Sequence, residues 1–299
     1  CQQGSQMAHM ERHFPGLLEK AEVALHCKDW LYLNLTGVRA TDPSEASFTF
    51  GNFRTRNYDD GVIEALGLSH RRTLLPQIVE GTEQTHPLSA SAAKQTGLSA
   101  GTPVCLGYVD MVMTALGAGV FGGGENAACS IVGSTGVHMR TVTNESVHLN
   151  AEGTGYIMAL PVPGMVVQAQ TNMAATLNLD WILSIAANVL DETGVKVSSK
   201  DLISRIDGWI AASTPGQIAY HPYISEAGER GPFVNAQARA GFTGLSVNHK
   251  YADLVRAVIE GLGMAMRDCY VAMGGLPGEL RLSGGAARSA GLRAVLAAA

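Results

Sequence analysis

The sequence predicts an α/β fold on three grounds. Beyond residue 102, short apolar runs that read as buried strands alternate with amphipathic helical stretches, the order that builds a sheet flanked by helices. Glycine accounts for 35 of 299 residues and concentrates in two places, where bare backbone can lie against a ligand. At 46% hydrophobic and 16% charged, the chain can bury a core and is not disordered.

The first hundred residues read as mostly helical. An amphipathic stretch from Met7 to Leu35 meets a stop at Gly37, and a turn-rich passage follows through Thr41, Asp42, Pro43 and Ser44. Turn residues from Leu98 to Pro103 then lead into the apolar run Val104, Cys105, Leu106. The domain boundary falls there, dividing the chain into 1–101 and 102–299. The second part should run as a strand over 104–108, a helix from Asp110 to Leu116, a glycine patch and a strand over 128–133. A further strand from Val137 follows a tight turn. A long helix from Asp253 to Met273, a strand from Glu279 to Leu282, the pair Gly284-Gly285 and a helix rich in Ala and Leu come last. There is no repeat of solenoid period and no low-complexity linker.

Charge and spacing exclude several functions. With 21 Lys and Arg against 26 Asp and Glu, the net charge is -5, and no basic run is present to neutralise nucleic-acid phosphates or hold an anionic bilayer. No apolar stretch reaches the roughly 20 residues of a membrane helix. Cys1-Gln2-Gln3-Gly4 lacks the charged and apolar regions of a signal peptide, which predicts a cytoplasmic protein. Cys1, Cys27, Cys105, Cys129 and Cys269 are scattered and form no C-x-x-C pair, so they read as reduced and mostly buried. The nine histidines show no metal-site spacing, and any metal ion is expected to arrive with a ligand.

Four features can carry chemistry. Gly117-Ala118-Gly119-Val120-Phe121-Gly122 fits G-x-G-x-x-G, but a helix precedes it and a strand follows, the reverse of a dinucleotide fingerprint. A helix cap followed by a loop is the better reading. Asp110 lies among apolar neighbours at a strand end and helix start. Composition favours a helix N-cap there, and a general base that takes a proton from a substrate hydroxyl is the functional reading; both can hold together. Gly133-Ser134-Thr135-Gly136, between two apolar strands, should form a tight turn whose N–H groups and hydroxyls suit a phosphate, although many such turns are only turns. Ser283-Gly284-Gly285-Ala286-Ala287-Arg288 should follow a strand and open a helix, a place for an anionic ligand or simply a close packing turn. A serine hydrolase is disfavoured because no G-x-S-x-G elbow occurs.

In this order, strand–Asp–helix, G-S-T-G turn and strand–G-G-A–helix, the features resemble the C-terminal half of the FGGY carbohydrate kinases. These belong to the actin/hexokinase-like ATPase superfamily with its ribonuclease H-like fold. Ala240 to Glu260 resembles the family's second signature at Phe242, Gly244, Leu245, Asp253, Leu254, Ala257, Val258, Ile259 and Glu260. Gly228-Glu229-Arg230 with Pro232 resembles its G-E-R-x-P loop. Lys28-Asp29-Trp30, Leu35-Thr36-Gly37 and Thr41-Asp42-Pro43-Ser44-Glu45-Ala46-Ser47 resemble the passage after its first signature.

The resemblance implies ATP-dependent phosphorylation of a small sugar or polyol, with 1–101 the later part of a sugar-binding domain and 102–299 most of an ATP-binding domain. It makes Asp110 the general base, Gly133, Ser134 and Thr135 the second phosphate turn, and Gly284, Gly285 and Ala286 the adenosine motif. Tyr108 and Met111 become substrate contacts beside Asp110, and Mg2+ arrives with ATP near Asp110. Such chemistry needs positioning and charge neutralisation more than covalent catalysis. Within the family, 26–34, 48–51 and 168–175 most resemble members acting on erythritol; ketopentoses such as L-xylulose, and glycerol, are the alternative substrates. A homodimer is compatible with this reading.

The chain departs from the family in four respects. It has G-S-T-G where the family has G-T-S-G, Met111 where a small or polar residue is common, and Thr176 where a glycine is common. The first phosphate hairpin, D-x-G-T-x-x-x-R, is absent, so the sequence reads as truncated at both ends and is expected to be inactive alone. Two other classes compete: a non-catalytic ATP- or sugar-binding relative, against which the retained Asp110 argues, and an actin-like filament protein.

Overall fold

The structure, a computed structural model, describes residues 3–14, 16–123 and 127–299; Cys1 and Gln2 lie outside the described residues. It is mixed α/β, as the alternating pattern predicts. The chain forms two compact units. The first comprises Cys1–Gly117, Val142–Glu145 and Ile157–Val167, and the second Ala118–Thr141, Ser146–Tyr156 and Gln168–Ala299. The first unit thus includes the helix starting at Asp110, beyond the 101/102 boundary read from turn residues.

In the first unit, the stretch expected as one helix from Met7 to Leu35 is two helices, Gln3–His13 and Cys27–Thr36, with a single 3-10 turn at Leu18–Lys20 between them. Gly16, at φ 84°, takes a left-handed conformation that no continuous helix admits. Gly37 ends the second helix as expected, at φ 78°, with its N–H on the Leu33 carbonyl. The passage from Thr41 to Ser44 is not a loop. Ala40–Thr41 pairs parallel with Gln77–Ile78, and Asp42 caps the helix Pro43–Phe50 by accepting the Ser44 N–H at 2.8 Å, with proline preorganised at the first helical position. The strand expected over 104–108 is shorter, Pro103–Cys105, and is held antiparallel to Thr85–Pro87. Phe50, Ile63, Leu68 and Leu74 form one core cluster, and Tyr32, Ala40, Val79 and Leu106 another.

One five-stranded sheet has the order Glu279–Ser283, Ala127–Val132, Gly136–Thr143, Met165–Asn172, Tyr156–Ala159. The first two strands are parallel, and the second and third form the antiparallel hairpin expected around the Gly-Ser-Thr-Gly turn. The core of the second unit gathers on the long helix Tyr251–Ala272, whose Val255, Val258, Ile259 and Leu262 pack with Leu183, Ile206, Leu292 and Leu296. This accounts physically for the second signature. Asp253 caps the helix by accepting the Lys250 N–H at 2.7 Å, Ala257 to Ile259 are core, and Glu260 accepts from Arg256 Nε at 2.7 Å and the Gly216 N–H at 3.1 Å. Among the described cysteines, all free, Cys129 and Cys269 are buried, whereas Cys27 and Cys105 are exposed, against the expectation that most are buried. No helix among the described residues is long and apolar enough to cross a membrane.

Candidate active site

In the second unit, the parallel strands Ala127–Val132 and Glu279–Ser283 run in register, with Ser283 opposite Ile131. Each is followed by one of the glycine motifs, so Gly133-Ser134-Thr135 and Gly284-Gly285-Ala286 emerge side by side at the carboxyl ends of neighbouring strands. That is the edge where α/β sheets bind ligands.

The turn is built so that its carbonyls face the protein. The Gly133 N–H donates to the Thr135 carbonyl at 3.1 Å. The Thr176 and Ala175 N–H groups donate to the Gly133 and Ser134 carbonyls, each at 2.8 Å. With those acceptors consumed, Ser134 and Thr135 are left exposed, and neither hydroxyl has a partner among the described residues. A concave turn with its acceptors turned inward suits an anion. Below it, a Cβ on Gly136 would stand 2.9 Å from His138 Nε2, so only glycine fits.

His138 is fully buried. Its Nε2 donates to Asn172 Oδ1 at 2.8 Å, and its Nδ1 accepts from the Ser130 hydroxyl at 2.8 Å, an assignment set by Asn172 Oδ1 being an acceptor. Burial pushes its pKa down to about 4, against the opposing pull of Asn172, so the ring is neutral. The Tyr270 hydroxyl, 2.9 Å from Ser130 Oγ and 3.1 Å from the Cys129 carbonyl, completes the chain.

Gly284 has φ 90°, and a Cβ there would approach the Val132 carbonyl to 2.9 Å. Ala286 is buried within a 3-10 turn, Gly285–Arg288. The expectation that the glycine pair opens the helix needs correction. The helix Ala290–Ala298 starts four residues after Ala286 and is capped by Ser289, whose Oγ accepts the Leu292 N–H at 3.0 Å and also donates to Asp207 at 2.5 Å. The glycine motif thus opens a single-turn 3-10 helix, Gly285–Arg288, and not the final α-helix, and its bare backbone allows close approach.

In the first unit, Asp110 is exposed and is the first residue of the helix Asp110–Gly117. Its Oδ1 accepts the N–H of the partly buried Met111 at 2.8 Å. Tyr108, by contrast, is buried, with its hydroxyl donating to Glu80 Oε1 and accepting from Arg56 Nη2 at 2.7 Å. Burial first, and then the Glu80 hydrogen bond, push its pKa up. The G-x-G-x-x-G run behaves as read: the helix ends at Gly117, Gly119 takes φ 75°, and a strand follows from Ala127.

Sequence reasoning missed the second layer of these sites. Glu229 is buried, and its Oε1 accepts the N–H groups of Met173 at 2.9 Å, Arg230 at 2.8 Å and Gly231 at 3.4 Å, which ties the segment before Thr176 in place. Glu229 stands inside the G-E-R-x-P match, a signal that was present but carried no role. His138, a lone histidine in an apolar strand, gave none.

The FGGY family of carbohydrate kinases matches twice, by its N-terminal domain over residues 2–117 and its C-terminal domain over 128–299. The chain is 68% identical over 299 residues to the erythritol kinase of Brucella abortus, covering 100% of this chain and 58% of that protein. It is 31% identical to the xylulose kinase of Escherichia coli, covering 96% of this chain and 56% of that one. The chain thus spans little more than half the length of these relatives. Among solved structures, a xylulose kinase from Rhodospirillum rubrum superimposes with a TM-score of 0.80 at 22% identity, over 99% of this chain and 57% of that one, which shows the shared fold.

Proposed function

Given that the chain belongs to the FGGY family of carbohydrate kinases, we propose that the protein carrying it transfers the terminal phosphoryl group of ATP to a hydroxyl of a small polyol, erythritol. The observation that carries this reading is the pairing of the Gly133–Thr135 turn with Gly284–Ala286 on adjacent strand ends. The turn receives ATP phosphate through Ser134 and Thr135, while the bare backbone at Gly284 and Gly285 lets the adenosine lie close. Asp110 accepts the proton of the attacking hydroxyl, and the exposure of its carboxylate leaves it open to substrate. Mg2+ bound with ATP would neutralise phosphate charge. The exposed Asp110 carboxylate is an oxygen donor of the kind that Mg2+ takes beside nucleotide phosphates.

Erythritol is favoured by the 68% identity to an erythritol kinase, and a ketopentose by the weaker likeness to xylulose kinases. The test is ADP release by the full-length protein with Mg-ATP and erythritol, xylitol, glycerol, L-xylulose, D-xylulose or D-ribulose. Strong preference for erythritol supports the reading. Preference for a ketopentose keeps the mechanism and replaces the substrate, and silence with every sugar alongside measurable ATP binding supports a non-catalytic relative.

A further inference from the structure

Two separate networks, one through buried Ser44 and Asp42 and one at the buried ring of Tyr108, grip the two residues directly before Asp110. The first closes on the backbone. Ser44, fully buried, accepts the Val109 N–H on its Oγ at 3.0 Å and donates the hydroxyl proton to Asp42 Oδ1. Asp42, also fully buried, pairs through Oδ2 with Lys28 Nζ at 2.5 Å, and the same ammonium pairs with Asp29 at 2.6 Å. Burial opposes the Lys28 charge, but the carboxylates of Asp42 and Asp29 outweigh it and hold the ammonium protonated above its ordinary range. A hydroxyl fixed at both ends cannot rotate, so the Val109 amide has one place to dock.

The second network closes on the side chain of Tyr108, which is only 5% exposed. Its hydroxyl sits between Glu80 and Arg56, which pair with each other at 2.5 Å, and Arg56 Nη1 also donates to the Leu160 carbonyl at 2.5 Å. Arg56 holds this geometry from φ 59°, a left-handed conformation that a non-glycine residue keeps only where its surroundings over-determine it.

We propose that these two networks are the positioning device for the Asp110 carboxylate, with Ser44 and Tyr108 acting on the reaction through Asp110 and not by touching substrate. This rests on the reading of Asp110 as the general base. Among the described residues, Asp110 itself has only the Met111 N–H to orient it, and it stands at an exposed helix start. Its register is therefore inherited from residues 108 and 109. A reacting group displaced by about 1 Å loses on the order of 100-fold in rate, so a loosened clamp appears in turnover more than in nucleotide affinity.

The test compares Tyr108→Phe, Ser44→Ala and Asp110→Asn in the full-length protein, singly and combined, with Mg-ATP and the preferred acceptor. Tyr108→Phe and Ser44→Ala should each lower kcat by about 10-fold or more while KM for ATP stays within about twofold. On the Asp110→Asn background neither should lower the residual rate further, because residues that act through one group are non-additive with its removal. Unchanged kcat in the single variants, or losses that multiply on that background, would overturn the clamp alone. Should Ser44→Ala fail to fold, Tyr108→Phe, which keeps the packed ring, decides. Wild-type turnover by Asp110→Asn would instead remove the base assignment and the clamp with it.

Discussion

The Thr176 amide donates to the Gly133 carbonyl at 2.8 Å, so the first residue of the helix Thr176–Glu192 holds the Gly133–Thr135 turn from within. That helix start is itself tethered: Met173 donates to Glu229, and Asn172 Nδ2 to the Gly231 carbonyl at 3.1 Å. The contact is made by the Thr176 backbone N–H and not by its side chain.

Replacing Glu229 with Ala should therefore do two things. It strands three backbone N–H groups, one of them on buried Gly231, at a cost of about 2–4 kcal/mol. It also frees the segment behind the turn. Urea unfolding should show the stability loss, and KM for ATP should rise. An unchanged midpoint would mean that water replaces the carboxylate.

Ser134 and Thr135 offer the opposite case, since both are exposed and neither hydroxyl is engaged within the described protein. Ser134→Ala with Thr135→Ala should leave the melting temperature within about 1 °C and weaken ATP binding by about 10-fold, the loss of one or two charge-assisted hydrogen bonds. Calorimetric titration with ATP reads the effect. Unaltered affinity would leave the turn as a plain hairpin.

At Gly284 the constraint is steric and conformational at once. Gly284→Ala places a Cβ 2.9 Å from the Val132 carbonyl at φ 90°, so the strand end must shift. A destabilisation of about 1–3 kcal/mol is expected together with weaker nucleotide binding. Gly285→Ala meets no atom within 4 Å and should keep the stability, which makes it the control in thermal melts.

Asp110→Asn keeps the shape and the hydrogen bond from Met111 while removing the carboxylate proposed as the base. Turnover should fall by about 10²- to 10⁴-fold, with ATP binding nearly intact. Retained turnover would return Asp110 to a purely structural place at the helix start.

The local fold was legible wherever one residue dictates backbone conformation or burial. Gly37 ends a helix, the Gly-Ser-Thr-Gly turn joins two strands, and the apolar rows of Tyr251–Ala272 make a core helix. Expectations slipped where long-range pairing decides. Ala40–Thr41 is a strand only because Gln77–Ile78 lies beside it, and the passage from Thr41 to Ser44 reads as a turn until Asp42 is seen capping a helix. The site residues had local signals, but Lys28, Ser44, Arg56, Glu80 and Glu229 act on them from distant parts of the sequence, and no spacing rule announces such partners.

His138 gives a stability prediction with a definite sign. In the folded protein its pKa is pushed down to about 4 by burial, whereas in the unfolded chain it takes its ordinary value near 6.5. Between those values the unfolded state binds a proton that the folded state refuses, so the contribution is complete above about pH 6.5 and is lost as pH falls toward about 4. Near pH 5 the loss is on the order of 2 kcal/mol. His138→Gln carries no titrating ring. It should be less stable at neutral pH, because the acceptor for the Ser130 hydroxyl is gone, yet lose less on acidification. Urea unfolding of both proteins at about pH 7 and about pH 5 reads the difference. Equal losses in the two would mean that the ring already carries its proton within the fold, and that Asn172 and Ser130 are arranged around an imidazolium.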